Sequence, residues 1–65
     1  MNTSYIITYR NGKKEKFLQG DGINYSAWET GNFLVIQKYN YYNEKSEGNI
    51  YIPISRIKMV QEISE

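Results

Sequence analysis

The chain contains neither cysteine nor histidine among its 65 residues. Without cysteine it can form neither a disulfide scaffold nor a cysteine-ligated zinc site. Without histidine it lacks the side chain that most often transfers protons near neutral pH. Its carboxylates show no spacing typical of a catalytic pair, and its serines have no histidine base. The sequence therefore predicts a protein that is not an enzyme and that uses no metal or cofactor.

Long apolar runs are also missing, since the longest, Phe33–Ile36, has four residues. A membrane-spanning helix needs about 20 apolar residues. The first residues show no basic segment followed by an apolar stretch, so no signal peptide is expected. These features predict a cytoplasmic protein. Residues 1–65 suffice for one β domain, and a core this small favours a homo-oligomer.

Charge is unevenly distributed although the formal net charge is only +1. Residues 1–18 carry a net charge of +3, and residues 19–65 carry −2. The excess cations surround the dipeptide Asn11-Gly12, which is typical of a hairpin turn. This asymmetry predicts an anionic partner for the first hairpin. The alternative is a solvated hairpin tip, where lysines are ordinary.

Aromatic residues are abundant, with seven tyrosines and one tryptophan. Their flat rings with a polar tip suit binding surfaces, and a small core cannot bury all of them with hydrogen-bond partners. Trp28 is the strongest candidate for an exposed ring, the alternative being that it closes one end of a barrel. The predicted ligand-binding residues combine such rings with cations: Trp28, Tyr25, Tyr41, Tyr51, Arg10, Lys13, Lys14 and Arg56.

The first half of the chain begins with a hairpin pattern. Period-two alternation predicts a strand over residues 4–10, a type I′ turn at Asn11-Gly12, and a return strand over residues 13–18. Residues 19–32 form a long connection punctuated by glycines. In this connection, Ile23 and Ala27 fit one or two helical turns, whereas alternation from Ile23 through Tyr25 fits an extended arm.

The second half predicts three further strands. Residues 33–39 are apolar on both faces at their start, which is typical of a strand covered on both sides. Residues 42–48 predict an exposed turn. Residues 49–54 predict a strand with Ile50, Ile52 and Ile54 inward, and Pro53 puts that strand at an edge. Residues 57–63 predict the last strand. The expected fold is all-β, a small antiparallel barrel or a strongly bent sheet of four or five strands.

The segment Gly48-Asn49-Ile50-Tyr51-Ile52-Pro53-Ile54-Ser55-Arg56-Ile57 resembles the end of SH3-like barrels. It contains an isoleucine-rich strand, a proline, a short turn and an apolar return strand. The resemblance implies a 3₁₀ turn between the last two strands. The alanine-leucine-tyrosine-aspartate-tyrosine signature of signalling SH3 domains is missing, so recognition of proline-rich peptides is not implied.

Two classes of function follow from the residues. Rings can stack on nucleobases while arginine and lysine meet phosphates, which suits a nucleotide or single-stranded nucleic acid. Alternatively, the tyrosine-rich surface is an interface that inhibits a host enzyme, because Tyr, Trp and Arg are enriched at hot spots. In style, the chain resembles small phage or mobile-element products, some of which sequester signalling nucleotides or block host defence.

Overall fold

A computed structural model describes residues 2–64 and confirms the all-β prediction. These residues form two three-stranded antiparallel sheets. The elements in chain order are β1 (Thr3–Tyr9), β2 (Lys14–Phe17), β3 (Ile23–Thr30), β4 (Phe33–Asn40), β5 (Lys45–Pro53), the 3₁₀ helix η1 (Ile54–Arg56) and β6 (Ile57–Ser64). The described residues include no helix that is long and apolar enough to cross a membrane.

The two sheets have different orders. Sheet A has the order β2-β1-β6, so the last strand returns to pair with the first. Sheet B is the meander β3-β4-β5. The 3₁₀ helix η1 connects β5 with β6, where the sequence predicts a short turn. The number of strands was underestimated, since residues 2–64 form six strands rather than four or five, and no continuous ladder joins the two sheets into a barrel.

The missing strand lies in the connection over residues 19–32. Of the two alternatives, the extended one is correct, because Ile23–Thr30 pairs with β4 along its whole length. Gly31 and Asn32 connect β3 to β4, and Gly31 has φ +56°. A two-residue hairpin with glycine in this first central position matches the strand twist. The Gly-Asn dipeptide was therefore a hairpin signal in the sequence.

The first hairpin is present but its turn differs from the type I′ prediction. Tyr9 N donates to Lys13 O at 2.8 Å, and Gly12 N donates to Tyr9 O at 3.0 Å. Of the two turn residues, Gly12 alone has positive φ, at +89°, whereas Asn11 does not. This is a three-residue loop with a left-handed glycine, which is the next most common hairpin connection.

The core lies between the facing sides of the two sheets. Ile7 and Ile36 are fully buried at its centre, with β1 supplying the first and β4 the second. Around them lie Tyr5, Phe17, Leu34 and Ile52. Phe17 and Tyr25 contact edge-to-face with centroids 5.7 Å apart. Tyr25, Tyr9, Ala27 and Ile57 pack at the margin of this core.

Strand β5 is longer and more exposed than predicted. It begins at Lys45, so the predicted turn over residues 42–48 is shortened at its C-terminal side. Of the three isoleucines expected to point inward, Ile52 is 5% exposed, but Ile50 and Ile54 are 44% and 37% exposed. Ile50 lies on an edge strand, since β5 pairs only with β4 among the described strands, and Ile54 lies in η1 instead of in β5.

We expect Ile7→Ala to lower the free energy of unfolding by about 2–5 kcal/mol, because it leaves a cavity at a fully buried position. Ile6→Ala is the matched control, since Ile6 is the adjacent residue on the same strand and is only half-buried. Urea denaturation of both variants measures the difference. Equal losses would contradict the assignment of Ile7 to the core face.

Candidate functional site

An open groove of about 760 Å³ lies between the first hairpin and the end of β5. We call it the basic groove. The tip of the hairpin and η1 contribute its polar residues, and β5 contributes an apolar strip. Its lining residues are Tyr9, Arg10, Asn11, Lys13, Lys14, Glu15, Ile50, Tyr51, Ile52, Pro53, Ser55 and Arg56.

The hairpin tip is fixed to η1 by Arg10. Its backbone N donates to Arg56 O at 2.9 Å, and its side-chain Nε donates to Ser55 O at 2.9 Å. A guanidinium has five N–H donors, and no described residue accepts from the other four. Arg10 is therefore held in position by its backbone N–H and by one side-chain donor, which leaves four guanidinium N–H groups available.

The basic groove collects four cations and one carboxylate. Over residues 2–64, the ion pair within 4 Å is Lys38–Glu47, which lies outside the groove. The groove cations Arg10, Lys13, Lys14 and Arg56 thus have no carboxylate partner among the described residues. Four cations against one carboxylate leave the groove with an excess of positive charge, and clefts of one sign concentrate ions of the other.

The single carboxylate of the groove, that of Glu15, accepts a hydrogen bond from a tyrosine. Tyr9 Oη donates to Glu15 Oε1 at 2.5 Å. Burial, this hydrogen bond and the charge of Glu15 raise the pKa of Tyr9 to about 12, and Arg56 opposes the shift. Tyr9 therefore stays neutral at physiological pH and holds Glu15 at the base of the hairpin.

The other wall of the groove is an apolar strip of β5. Ile50 and Tyr51 are exposed there, and Pro53 ends the strand. An apolar wall opposite a cationic wall suits a ligand with a flat apolar part and an anionic part. Sequence reasoning missed Ile50 and Ile52 because it treated the isoleucines of β5 as core. It also missed five further lining residues, which are Tyr9, Asn11, Glu15, Pro53 and Ser55.

Trp28 lies outside the basic groove, on the face of sheet B that points away from Leu34 and Ile36. Val35 stands directly opposite Trp28 on β3 and Tyr51 on β5, so the three share this face. Phe33 lies on it too and contacts Tyr51 edge-to-face at 6.2 Å between centroids. We call these four residues the outer aromatic face. Val35 is fully buried although the three rings are exposed.

The remaining two predicted site residues lie apart from the groove. Tyr25 is opposite Lys38 in the register and packs at the core margin. Tyr41 follows the C-terminal end of β4, where its hydroxyl donates to Asn2 Oδ1 at 3.0 Å. Tyr41 is six positions along the chain from Val35, so it lies about 20 Å from the centre of the outer aromatic face. The groove therefore brings together five of the predicted residues: Arg10, Lys13, Lys14, Tyr51 and Arg56.

No cluster of three or more His, Cys, Asp or Glu side chains that could hold a metal ion occurs within the part of the chain that the structure describes. The chemistry that the groove offers is therefore charge, hydrogen bonding and apolar contact.

We expect Glu15→Gln to lower the pKa of Tyr9 from about 12, because the substitution removes the charge of the acceptor. The pKa should stay above 10, because burial remains. Tyrosine ¹³Cζ chemical shifts followed by NMR against pH measure it, with Tyr9→Phe used to assign the resonance. An unchanged pKa would contradict the contact.

The raised pKa also implies a pH dependence of stability. The folded-state pKa lies above the usual 10.0, so the contribution is complete below pH 10 and is lost as the pH rises through 12. Tyr9→Phe should therefore lose less unfolding free energy than the wild type across this interval, as measured by urea denaturation. Equal losses would argue against it.

Comparison with known protein families, curated proteins and solved structures finds no match to this chain. The chemistry of the groove is therefore the basis for assigning a function.

Proposed function

We propose that the chain is a non-catalytic binding protein whose basic groove takes a nucleotide or a short single-stranded nucleic acid. The observation that supports this most is the meeting of four unpaired cations with an apolar strand in one groove. The groove volume of about 760 Å³ lies within the range of small-molecule sites, roughly 300–1,000 Å³.

Each wall of the groove has a chemical role in this proposal. Arg10 and Arg56 can bind phosphate oxygens through the planar fork of the guanidinium, while Lys13 and Lys14 act as mobile point charges. Tyr51 offers a ring face to a base, and Ile50 extends the apolar contact. Stacking on an aromatic ring contributes about 1–3 kcal/mol per base and tolerates differences in sequence.

A small nucleotide suits the groove at least as well as a polymer does. The formal net charge is only +1, and duplex DNA is bound through many phosphate contacts. The proposal therefore includes a protein that sequesters a signalling nucleotide, as expected for a cytoplasmic phage- or mobile-element-like product. Both the setting and this role stay predictions.

The proposal also includes an SH3-like arrangement of the strands. A three-stranded meander, a 3₁₀ helix and a last strand that returns to β1 follow one another in the chain. This order supports the resemblance seen in residues 48–57. In such an arrangement the hairpin and the end of β5 form the walls of one groove.

The alternative function is inhibition of a host enzyme through the outer aromatic face. The observation in its favour is that Trp28, Phe33 and Tyr51 are exposed on the face of sheet B on which Val35 is fully buried. Exposed aromatic rings over a rigid sheet are typical of interaction hot spots. Tyr51 belongs to both surfaces, so its substitution alone does not separate the two functions.

A thermal-unfolding screen tests the nucleotide proposal directly. The ligands are mononucleotides, cyclic mono- and dinucleotides, ADP-ribose and short single-stranded oligonucleotides. A ligand at 100 times its dissociation constant should add about 2.7 kcal/mol, which raises the midpoint of so small a domain by roughly 10 °C. A shift with none of these ligands would contradict the proposal and favour the protein partner.

We expect the double variant Lys13→Glu/Lys14→Glu to weaken binding of the nucleotide by at least about tenfold, because two attractive charges become repulsive. Glu15→Gln should instead strengthen it, because the groove loses its carboxylate. Lys45→Glu is the control, since Lys45 is exposed at the start of β5 and outside the groove. Isothermal titration calorimetry measures all three variants.

One result would place the ligand site outside the basic groove. If Lys13→Glu/Lys14→Glu binds as the wild type does while Trp28→Ala/Phe33→Ala loses binding, the ligand site is the outer aromatic face. Circular dichroism of each variant shows whether the fold is retained.

A further inference from the structure

Strand β6 is an exposed edge of sheet A that can pair with a further strand. Among the strands of residues 2–64 it pairs only with β1, which leaves its other side without a partner. It has eight residues without glycine or proline, and all but the first are exposed. Met59, Val60 and Ile63 are large apolar residues on this edge, each at least 40% exposed. An exposed edge of this length is a template for a further strand.

The other three edges are less suited to pairing. Strand β2 has four residues, three of them charged, and β5 contains Gly48 and Pro53. Strand β3 is connected to sheet A, since Thr3 N donates to Asn24 Oδ1 at 2.7 Å. Short length, charge and proline are the usual means of blocking an edge. Strand β6 has two charges and no proline, and β3, which has one charge, is set aside by its connection to sheet A.

The sequence of β6 is complementary to itself in the antiparallel direction. A two-fold axis through Val60 places each residue opposite the one that is equally far on the other side. Val60 then meets Val60, and Met59 meets Gln61 of the second copy. Lys58 forms a bulge in the pairing with β1, since Thr8 pairs with Met59 and Tyr9 with Ile57, and its side chain then lies beside Glu62 of the second copy. Opposite charges directly across a strand pair stabilise it, and like charges destabilise it. Lys58 and Glu62 therefore select this register instead of blocking the edge.

We propose that β6 is the interface through which two copies of this chain form a two-fold symmetric dimer. Their A sheets join into one sheet of six strands with the order β2-β1-β6-β6-β1-β2. The apolar side chains Met59 and Ile63 of the two copies lie diagonally across from each other on one face. The interface uses none of the residues that line the basic groove. An experiment that contradicts the dimer would therefore leave the proposed ligand site untouched, and the reverse also holds.

Charge reversal tests the register. Lys58→Glu places two carboxylates opposite each other at both symmetric positions, and Glu62→Lys does the same with two ammonium groups. Each variant should raise the dimer dissociation constant at least about tenfold, as measured by sedimentation equilibrium. The double variant Lys58→Glu/Glu62→Lys restores both pairs and should dimerise as the wild type does. Lys16→Glu, on the opposite edge of sheet A, is the matched control and should change nothing.

Mixing the two charge-reversal variants tests the proposed pairing of Lys58 with Glu62 most directly. In an equimolar mixture of Lys58→Glu with Glu62→Lys, each charge pair between the unlike chains is again attractive. The mixture should therefore form a heterodimer, although each variant alone is largely monomeric. Native mass spectrometry with one of the two variants uniformly ¹⁵N-labelled distinguishes the heterodimer from either homodimer.

A cysteine substitution tests the register without altering charge, because the chain has no other thiol. Val60→Cys puts two sulfurs directly across the axis, within disulfide range, and should cross-link under mild oxidation. Ile63→Cys is the control, since its symmetric mate lies about 20 Å away along the strand. The proposal would be overturned if the wild-type chain stayed monomeric at about 1 mM or assembled into a ring of more than two copies. It would also be overturned if the charge variants dimerised normally, or if Ile63→Cys cross-linked in preference to Val60→Cys.

Discussion

Strand β4 must be covered on both faces, and the remaining structure depends on this requirement. Ile36 is buried against sheet A, whereas its neighbour Val35 is buried on the opposite face. Trp28 and Tyr51 stand directly opposite Val35 on the neighbouring strands, so their rings are placed to shield it. The outer aromatic face is therefore first a solution to a packing problem. Its exposed ring surfaces are a by-product that a partner can use.

The fold was predictable where a residue pattern has one physical interpretation. Alternation in β1 and the apolar start of β4 specify strands, and Asn11-Gly12 specifies a hairpin although not its turn type. The failure lay at β3, whose Ile23, Tyr25 and Ala27 fit two periods equally well. Only pairing with β4, which is a tertiary interaction, decides between them. The Gly31-Asn32 turn was the local signal that could have done so.

The site was predictable in its charges and less so in its rings. Cations near a hairpin tip can be recognised from sequence, because Arg10, Lys13 and Lys14 are neighbours. Arg56 joins them only through the return of the chain at η1. Tyr41 and Trp28 are residue types that often bind ligands, but the fold places them on other surfaces. Composition states which chemistry is available, whereas register decides which side chains meet.

The bond from Arg10 to Ser55 spans 45 residues of sequence. The walls of the basic groove therefore come from opposite ends of the chain, and neither wall has a counterpart until the meander of sheet B is in place. Loop closure over such a distance is entropically costly and slow, so non-local contacts of this kind form late in folding. The groove is consequently a property of the completed fold, because only there does Arg56 join the cations of the hairpin.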